Sequence, residues 1–169
     1  MNKGYKAFYG NMENRYGMAF EEGKTYSIEG PLKFGVNGNG FHYAKRLEDT
    51  LRYFPAMEEE VSIAEVTSLG EQVEYNDDYY GYYDLFAART IRIDKFLTRE
   101  EIVDMYLVMD NDDRIIRFIS GFKLTPDEIE LFKLRYGDRL RVMQAISYYQ
   151  ENEKDVYNNQ KVKKKRFDK

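Results

Sequence analysis

The chain has 169 residues, of which 43% are hydrophobic and 16% aromatic, and 26 basic residues stand against 30 acidic ones. This apolar content is enough for a folded core and excludes disorder over most of the length. With no cysteine and one histidine, His42, the sequence excludes disulfides and zinc sites built on cysteines or paired histidines. No apolar run reaches the roughly 18 residues of a membrane span, and no secretion signal begins the chain, so we expect a cytoplasmic protein without a membrane partner.

The glycine distribution predicts a β-rich domain over residues 1–97. Ten of the twelve glycines fall there, between short runs of β-branched and aromatic residues, which is typical of strands and turns. Five such runs are predicted strands: Tyr5–Tyr9, Lys24–Ile28, Val61–Thr67, Glu71–Tyr75 and Leu85–Ile93. Ser68-Leu69-Gly70 separates the third run from the fourth and predicts a hairpin turn, with Gly70 in the left-handed conformation.

One short helix is predicted within this domain. Leu47, Leu51 and Phe54 are spaced as i, i+4 and i+7 in Arg46–Phe54, so they share one helical face. Pro55 follows directly and cannot continue the helix. The domain is therefore expected to be a mainly antiparallel sheet with one inserted helix.

Residues 98–158 are predicted to form a helical extension. Thr98 and Thr125 each stand at the cap position of a helix, with a glutamate three residues later, which is the pattern of a capping box. Another short helix is predicted over Arg114–Ile119, with Gly121 as its stop signal. These signals predict three or four helices in this segment.

The helix that begins at Thr125 is expected to break at Gly137-Asp138, because glycine weakens a helix interior. A single long helix that continues to Tyr157 is the alternative. Together the predicted elements define an α+β fold, in which an N-terminal, mainly antiparallel sheet domain with one short inserted helix precedes a helical segment.

A basic tail over residues 159–169 completes the predicted organisation. Residues 161–169 hold six basic residues and one acidic residue, and these like charges repel, so we expect Lys161–Arg166 to be frayed. The rest of the chain is acidic. Nucleic-acid binding is therefore disfavoured, except through residues 161–166.

The densest cluster of unusual residues runs from Phe34 to Ala44 and contains three glycines, two asparagines and the only histidine. Glycine backbone adopts positive φ readily and approaches ligands closely, and a helix is predicted directly afterwards, so amides here could hold an anion. The spacing matches neither the Walker loop nor the full dinucleotide fingerprint, so an ordinary turn is the alternative. His42 is the candidate catalytic acid or base because imidazole titrates near neutral pH, and a packed, hydrogen-bonded histidine is the alternative.

A second biased segment is Asn76–Asp84, which is rich in tyrosine. An exposed turn between strands is one interpretation. The other is a contact surface for a protein partner, since tyrosine offers a large amphipathic area at low entropic cost. The candidate contact residues are Tyr79, Tyr80, Tyr82 and Tyr83.

The order of motifs resembles an uncharacterised domain common in bacteriophage and prophage proteins. The resemblance covers residues 4–98, and it rests mainly on Gly4-Tyr5-Lys6-Ala7-Phe8, on Phe20 to Tyr26, on Gly40-Phe41-His42 and on the strand that ends at Ile93. It implies a phage-associated protein that acts in a bacterial host cell, and it implies no activity. The first functional hypothesis is therefore a non-enzymatic accessory protein without a cofactor. Its partner would be a host or phage protein, for example in the inhibition of a host defence system.

A second resemblance is to ADP-ribosyltransferases of the poly(ADP-ribose) polymerase type. It rests on Phe8-Tyr9-Gly10, on Gly38 to Ala44 and on Ile63-Ala64-Glu65-Val66. It implies an alternative function as a nucleotide-binding or ADP-ribosyl-transferring enzyme, possessing NAD or another nucleotide as cofactor. The ligand-binding candidates are then Tyr9, Gly38, Gly40, His42 and Tyr43. The sequence departs from the family at three points. Tyr9 stands where the family has a histidine, His42 stands where it has the tyrosine that stacks on nicotinamide, and no catalytic glutamate is assigned. The alternative function therefore includes an enzyme of this fold that has lost its activity.

Overall fold

The computed structural model describes residues 1–10, 17–35, 37–51, 61–75 and 84–151. The described residues up to Leu97 form one compact unit, and those from Thr98 onward form a second. The first unit contains the sheet and the second contains helices, which confirms the predicted α+β class. Within the described ranges, no helix is both long enough and apolar enough to cross a membrane.

Five strands and one short helix build the first unit. They are β1 (Asn2–Tyr9), β2 (Thr25–Ser27), β3 (Phe41–Ala44), α1 (Leu47–Thr50), β4 (Val61–Tyr75) and β5 (Leu85–Phe96). Every strand pair is antiparallel, and the strand order is β2-β5-β3-β1-β4 with a further pairing of β4 to β5. The pairings of β5, β3, β1 and β4 therefore close into a ring, and β2 lies beside β5.

The predicted hairpin at Ser68-Leu69-Gly70 is wrong. β4 runs through this segment as one strand, and it pairs with β5 along most of its length. Gly70 has a φ of 77° and lies at a register shift, where two residues of β4 oppose one residue of β5. A β-bulge uses a left-handed glycine as readily as a hairpin turn does, so the local signal for the two structures is the same.

One apolar core cluster of this unit gathers side chains from β1, β3, β4 and β5 together with Phe20. Its buried residues are Phe8, Phe20, Phe41, Tyr43, Ala64, Val66, Ala88, Ile91 and Ile93. Successive side chains of a strand point to opposite faces. In β3, which was not among the predicted strands, Phe41 and Tyr43 therefore face the core, while His42 and Ala44 face the other side.

Four α-helices follow among the described residues of the second unit. They are α2 (Arg99–Leu107), α3 (Asp112–Gly121), α4 (Pro126–Tyr136) and α5 (Leu140–Ile146), and a π-helical turn over Ser147–Glu151 follows α5. Both predicted capping boxes are confirmed: the hydroxyl of Thr98 accepts from the Glu101 amide at 3.1 Å, and Thr125 is paired with Glu128 in the same way. The core of this unit includes the rings of Tyr106 and Phe118, which stack with centroids 3.8 Å apart.

The break that ends α4 follows the prediction, and both ends of α3 differ from it. The break after Tyr136 is confirmed, and Gly137 is the C-cap of α4. α3 begins earlier than predicted, because the side chain of Asn111 caps it by accepting from the Arg114 amide at 3.1 Å. Gly121 is the last residue of α3 rather than the residue beyond it. The predicted frayed segment Lys161–Arg166 lies outside the described residues.

Candidate functional site

The glycine-rich segment forms a tight loop that is fastened by its own polar groups. Lys33 and Asn39 make an isolated antiparallel bridge, with amide-to-carbonyl distances of 2.9 and 2.8 Å. The side-chain amide of Asn39 also donates to the carbonyl oxygens of Glu29 and Pro31, at 2.7 and 3.1 Å. One asparagine therefore joins the two ends of the loop.

Two of the predicted ligand-binding glycines are tightly packed. A Cβ atom at Gly38 would lie 2.2 Å from the carbonyl oxygen of Lys33, and one at Gly40 would lie 2.7 Å from Cδ1 of Leu32. The Gly38 amide donates to the Gly35 carbonyl at 2.9 Å, and the Asn39 amide is engaged in the bridge. These two amides therefore shape the loop, and an anion could use them only if those bonds opened.

His42 holds the same loop against β3. Its Nε2 atom accepts a hydrogen bond from the Gly35 amide at 3.0 Å, and its ring meets that of Phe34 edge to face, with centroids 4.6 Å apart. A ring nitrogen that accepts an amide hydrogen bond is unprotonated, so this geometry selects the neutral imidazole with its proton on Nδ1. General-base action at Nε2 would require this bond to break.

The ring of Phe34 lies between two aromatic partners. On one side it contacts His42, and on the other it stacks on Tyr75 with centroids 4.4 Å apart. Nearby, the ammonium group of Lys6 donates to the backbone carbonyl of His42 at 2.8 Å. The side of β3 that carries His42 is therefore lined by the rings of Phe34 and Tyr75. The ammonium group of Lys6 is bound to the backbone of the same strand.

Tyr43 lies on the opposite face of the sheet from His42. Its hydroxyl donates to Oε1 of Gln72 at 2.6 Å, and the Ser68 hydroxyl donates to the same oxygen at 2.6 Å. Burial raises the pKa of the Tyr43 hydroxyl, so it remains a protonated donor at neutral pH. His42 and Tyr43 therefore do not face one common site.

The remaining predicted site residues, Tyr9 and the four tyrosines of the Asn76–Asp84 segment, do not belong to the glycine-rich loop. Tyr9 is the half-buried last residue of β1, and strand alternation places it on the same face as His42. The four tyrosines of the Asn76–Asp84 segment, Tyr79, Tyr80, Tyr82 and Tyr83, lie outside the described residues. Of the ligand-binding candidates, the structure thus brings Gly38 and Gly40 into one loop that is bound to His42 of β3, whereas Tyr43 faces the opposite side of the sheet.

A different surface feature occurs on α4. Leu131 and Leu134 are 49% and 85% exposed, whereas Phe132 and Tyr136 of the same helix are fully buried. Residues three apart on a helix are surface neighbours. We name Leu131 and Leu134 the α4 leucine face. Neither leucine was among the predicted contact residues, Tyr79, Tyr80, Tyr82 and Tyr83.

Acidic residues precede and follow the α4 leucine face in the chain. Asp127 lies in the first turn of α4, four positions before Leu131, and Asp138 lies in the turn beyond Gly137, the C-cap of α4. Neither carboxylate makes an ion pair with a residue in the described ranges. Arg135, a cation of the same helix, is held by contacts within this unit: its Nε donates to the Leu107 carbonyl at 3.0 Å, and its guanidinium lies 5.1 Å from the centroid of the Tyr136 ring.

Taken together, these features define an α+β protein with a ring of antiparallel strands, a fastened glycine loop and an exposed leucine pair. Residues 2–105 match the family model described as a domain of unknown function, DUF7666. The chain belongs to this family, which confirms the expectation of an uncharacterised family. The match includes all of the sheet unit and most of α2. Comparison with curated proteins gave no match, and comparison with solved structures gave none either.

Proposed function

We propose that the protein is a phage-associated, non-enzymatic binding module for a host or phage protein, and that the α4 leucine face is part of its contact surface. The observation that carries this proposal is the exposure of two neighbouring leucines on a helix whose other face is fully packed. Removing apolar surface from water is favourable by about 25 cal/mol per Å². A partner that covers both leucines would gain that free energy.

The motif resemblance in the sheet unit supports the phage association, and the proposal includes a location in the cytoplasm of a bacterial host. A component of a host defence system is one partner of this kind. The net charge of −4 supports a protein partner over nucleic acid, because phosphate contacts require a basic surface. No cofactor is part of this proposal.

The nucleotide-binding alternative has less support from the geometry. The amides of Gly38 and Asn39 are engaged within the loop, and Tyr43 faces the core rather than the side on which His42 lies. A pocket that combined Tyr43 with His42 would require β3 to rotate. The leucine-based contact requires no rearrangement of either unit.

The test is affinity capture from host lysate after chemical cross-linking, with three forms of the full chain compared by quantitative mass spectrometry. The wild type should enrich a specific protein, and the double variant Leu131→Ser with Leu134→Ser should lose it. The control is Met18→Ser, which removes an exposed apolar side chain from the sheet unit and should retain the protein. Equal enrichment by the double variant and the wild type would overturn the proposal. Unchanged thermal unfolding of the double variant would show that it is folded.

A further inference from the structure

We propose that Asn37 is a site of spontaneous deamidation in the folded protein, and that its isoaspartyl product opens the glycine-rich loop. In this reaction water converts a side-chain amide into a carboxylate without an enzyme, which makes asparagine a thermolabile residue. The reaction is fastest where glycine follows, because glycine has no side chain to hinder ring closure and its backbone is permissive. The loop contains two such pairs, Asn37-Gly38 and Asn39-Gly40, and their surroundings differ.

The side chain of Asn37 is exposed. It makes no hydrogen bond to any residue that the structure describes, so its Cγ atom can turn toward the following amide without losing a side-chain contact. The attacking atom is the backbone nitrogen of Gly38, which donates to the Gly35 carbonyl at 2.9 Å. Opening of this turn therefore precedes the reaction and sets its rate.

The second pair is protected by its hydrogen bonds. The side-chain amide of Asn39 donates to the carbonyl oxygens of Glu29 and Pro31, at 2.7 and 3.1 Å. Its backbone amide and carbonyl are both bonded to Lys33. Attack by the Gly40 nitrogen would require the side chain of Asn39 to leave its two acceptors, so this residue should react more slowly than Asn37.

The reaction needs only water. The Gly38 nitrogen loses its proton to solvent and forms a bond to Cγ of Asn37, while the bond from Cγ to Nδ2 breaks and the leaving nitrogen takes up a proton to depart as ammonia. Water then opens the resulting cyclic imide. Attack of water at Cγ gives aspartate, and attack at the main-chain carbonyl carbon gives isoaspartate. Either product has exchanged an amide for a carboxylate, so the chain gains one negative charge.

The two products differ in what they do to the loop. In isoaspartate the main chain passes through Cβ and Cγ, which adds one carbon atom to the backbone before Gly38. That position has no spare room, because even a Cβ atom on Gly38 would lie 2.2 Å from the Lys33 carbonyl oxygen and 2.8 Å from that of Gly35. The added atom should therefore break the turn and release the Gly35 amide from Nε2 of His42. Aspartate keeps the backbone length, so the loop should stay closed.

The rates are measured by peptide mass spectrometry on the full-length protein, incubated folded in mildly alkaline buffer and, in parallel, unfolded in urea. Fragment ions that separate position 37 from position 39 assign the modified residue. In the folded protein, Asn37 should react at least about tenfold faster than Asn39, because hydrogen bonds hold the side chain of Asn39. In urea, the two should react within about threefold of each other, since glycine follows both.

The comparison of the two states decides the proposal. Equal rates at Asn37 and Asn39 in the folded protein would overturn it, and so would an unmodified Asn37 after a time in which the unfolded chain has reacted completely. Asn37→Gln is the matched control, because a glutamine side chain closes a larger ring much more slowly. This variant should stay unmodified at position 37, with the rate at Asn39 unchanged.

The effect on the loop is measured separately. In aged wild-type protein, ion exchange isolates the more negative chains, and NMR should show that the Gly35 amide of the isoaspartyl form has lost its protection against hydrogen exchange. Freshly prepared Asn37→Asp reproduces the other product and should keep this protection. A protected Gly35 amide in the isoaspartyl form, or an unprotected one in Asn37→Asp, would overturn the predicted link between the added backbone atom and the opening of the loop.

Discussion

The backbone amide of Gly35 donates a hydrogen bond to Nε2 of His42 at 3.0 Å, so the chain's only imidazole fastens the loop that precedes its own strand. Nε2 can accept this bond only while it carries no proton. Protonation would set two N–H donors against each other. The bond therefore exists when the imidazole is neutral and is lost when acidification protonates it.

We predict that acidification releases the amide of Gly35 from protection against hydrogen exchange, in step with protonation of His42. The measurement is a pair of NMR titrations, one that follows the imidazole carbons and one that follows the Gly35 amide. The ammonium group of Lys6 donates to the backbone carbonyl of His42 rather than to its ring. The two titrations should therefore share one midpoint.

The matched control is His42→Gln, whose side-chain oxygen can still accept a hydrogen bond but does not titrate. In this variant the Gly35 amide should keep its protection across the same pH range. His42→Ala, which removes the acceptor, should lose the protection at every pH. A pH-dependent Gly35 amide in the glutamine variant would show that another group controls the loop.

A second prediction concerns Glu128, which serves the N-terminal cap of α4 and also binds Arg99. Burial alone would raise the pKa of this carboxyl, but hydrogen bonds from Arg99 and from the Thr125 backbone outweigh it, so the pKa lies below its usual value. A carboxyl with a lowered pKa in the folded state contributes stability that is present above its unfolded pKa and is lost as the pH falls through its folded pKa. Glu128→Gln should therefore lower the free energy of unfolding by about 1–2 kcal/mol at pH 7, and by less in acid.

Urea denaturation at neutral and acid pH measures this difference. Glu130→Gln is the control, because Glu130 is exposed and lies 3.6 Å from Lys133. It should change the free energy of unfolding by less than about 0.5 kcal/mol. A deficit in Glu128→Gln of the same size at both pH values would contradict the ionic explanation.

The accuracy of the sequence predictions depended on how local each signal is. The capping boxes at Thr98 and Thr125 involve only four consecutive residues, so sequence alone located both helix starts. The positive φ of Gly70 is local too, but a turn and a bulge share it. The distinction depends on β5, which pairs from much later in the chain, and no pattern near Gly70 contains that information.

The candidate site was harder to predict for a similar reason. Phe41–Ala44 is only four residues long and follows three glycines, so it lacked the length of a recognisable strand. Once it is a strand, alternation alone separates His42 from Tyr43. On α4, apolar residues occur on more than one side of the helix, and only tertiary packing decides that Phe132 is buried while Leu134 is exposed.

A third prediction concerns Gly38, where space rather than backbone conformation requires glycine. A Cβ atom would lie 2.2 Å from the Lys33 carbonyl and 2.8 Å from the Gly35 carbonyl, and both neighbours are backbone atoms. Gly38→Ala should therefore open the loop and lower the free energy of unfolding by about 1–3 kcal/mol. Thermal unfolding and the chemical shift of the Gly35 amide measure the two effects. Asn37→Ala, at the exposed neighbouring position, should change neither, and an unperturbed loop in Gly38→Ala would refute the packing argument.

The last prediction concerns Gln150, a buried side chain of the π-helical turn that satisfies three backbone groups at once. Its Oε1 accepts from the Leu124 amide at 3.0 Å, and its Nε2 donates to the carbonyls of Ile119 and Phe122 at 2.5 and 2.9 Å. These groups belong to the end of α3 and to the connection between α3 and α4.

Gln150→Leu keeps most of the side-chain volume but leaves the three backbone groups unpaired in a buried site. Because an unsatisfied buried polar group costs about 1–3 kcal/mol, this variant should lose about 2–4 kcal/mol of the free energy of unfolding, measured by urea denaturation. Gln144→Leu is the control, since Gln144 is an exposed residue of α5 and should be nearly neutral. Comparable losses in the two variants would mean that the hydrogen bonds of Gln150 do not stabilise the connection between α3 and α4.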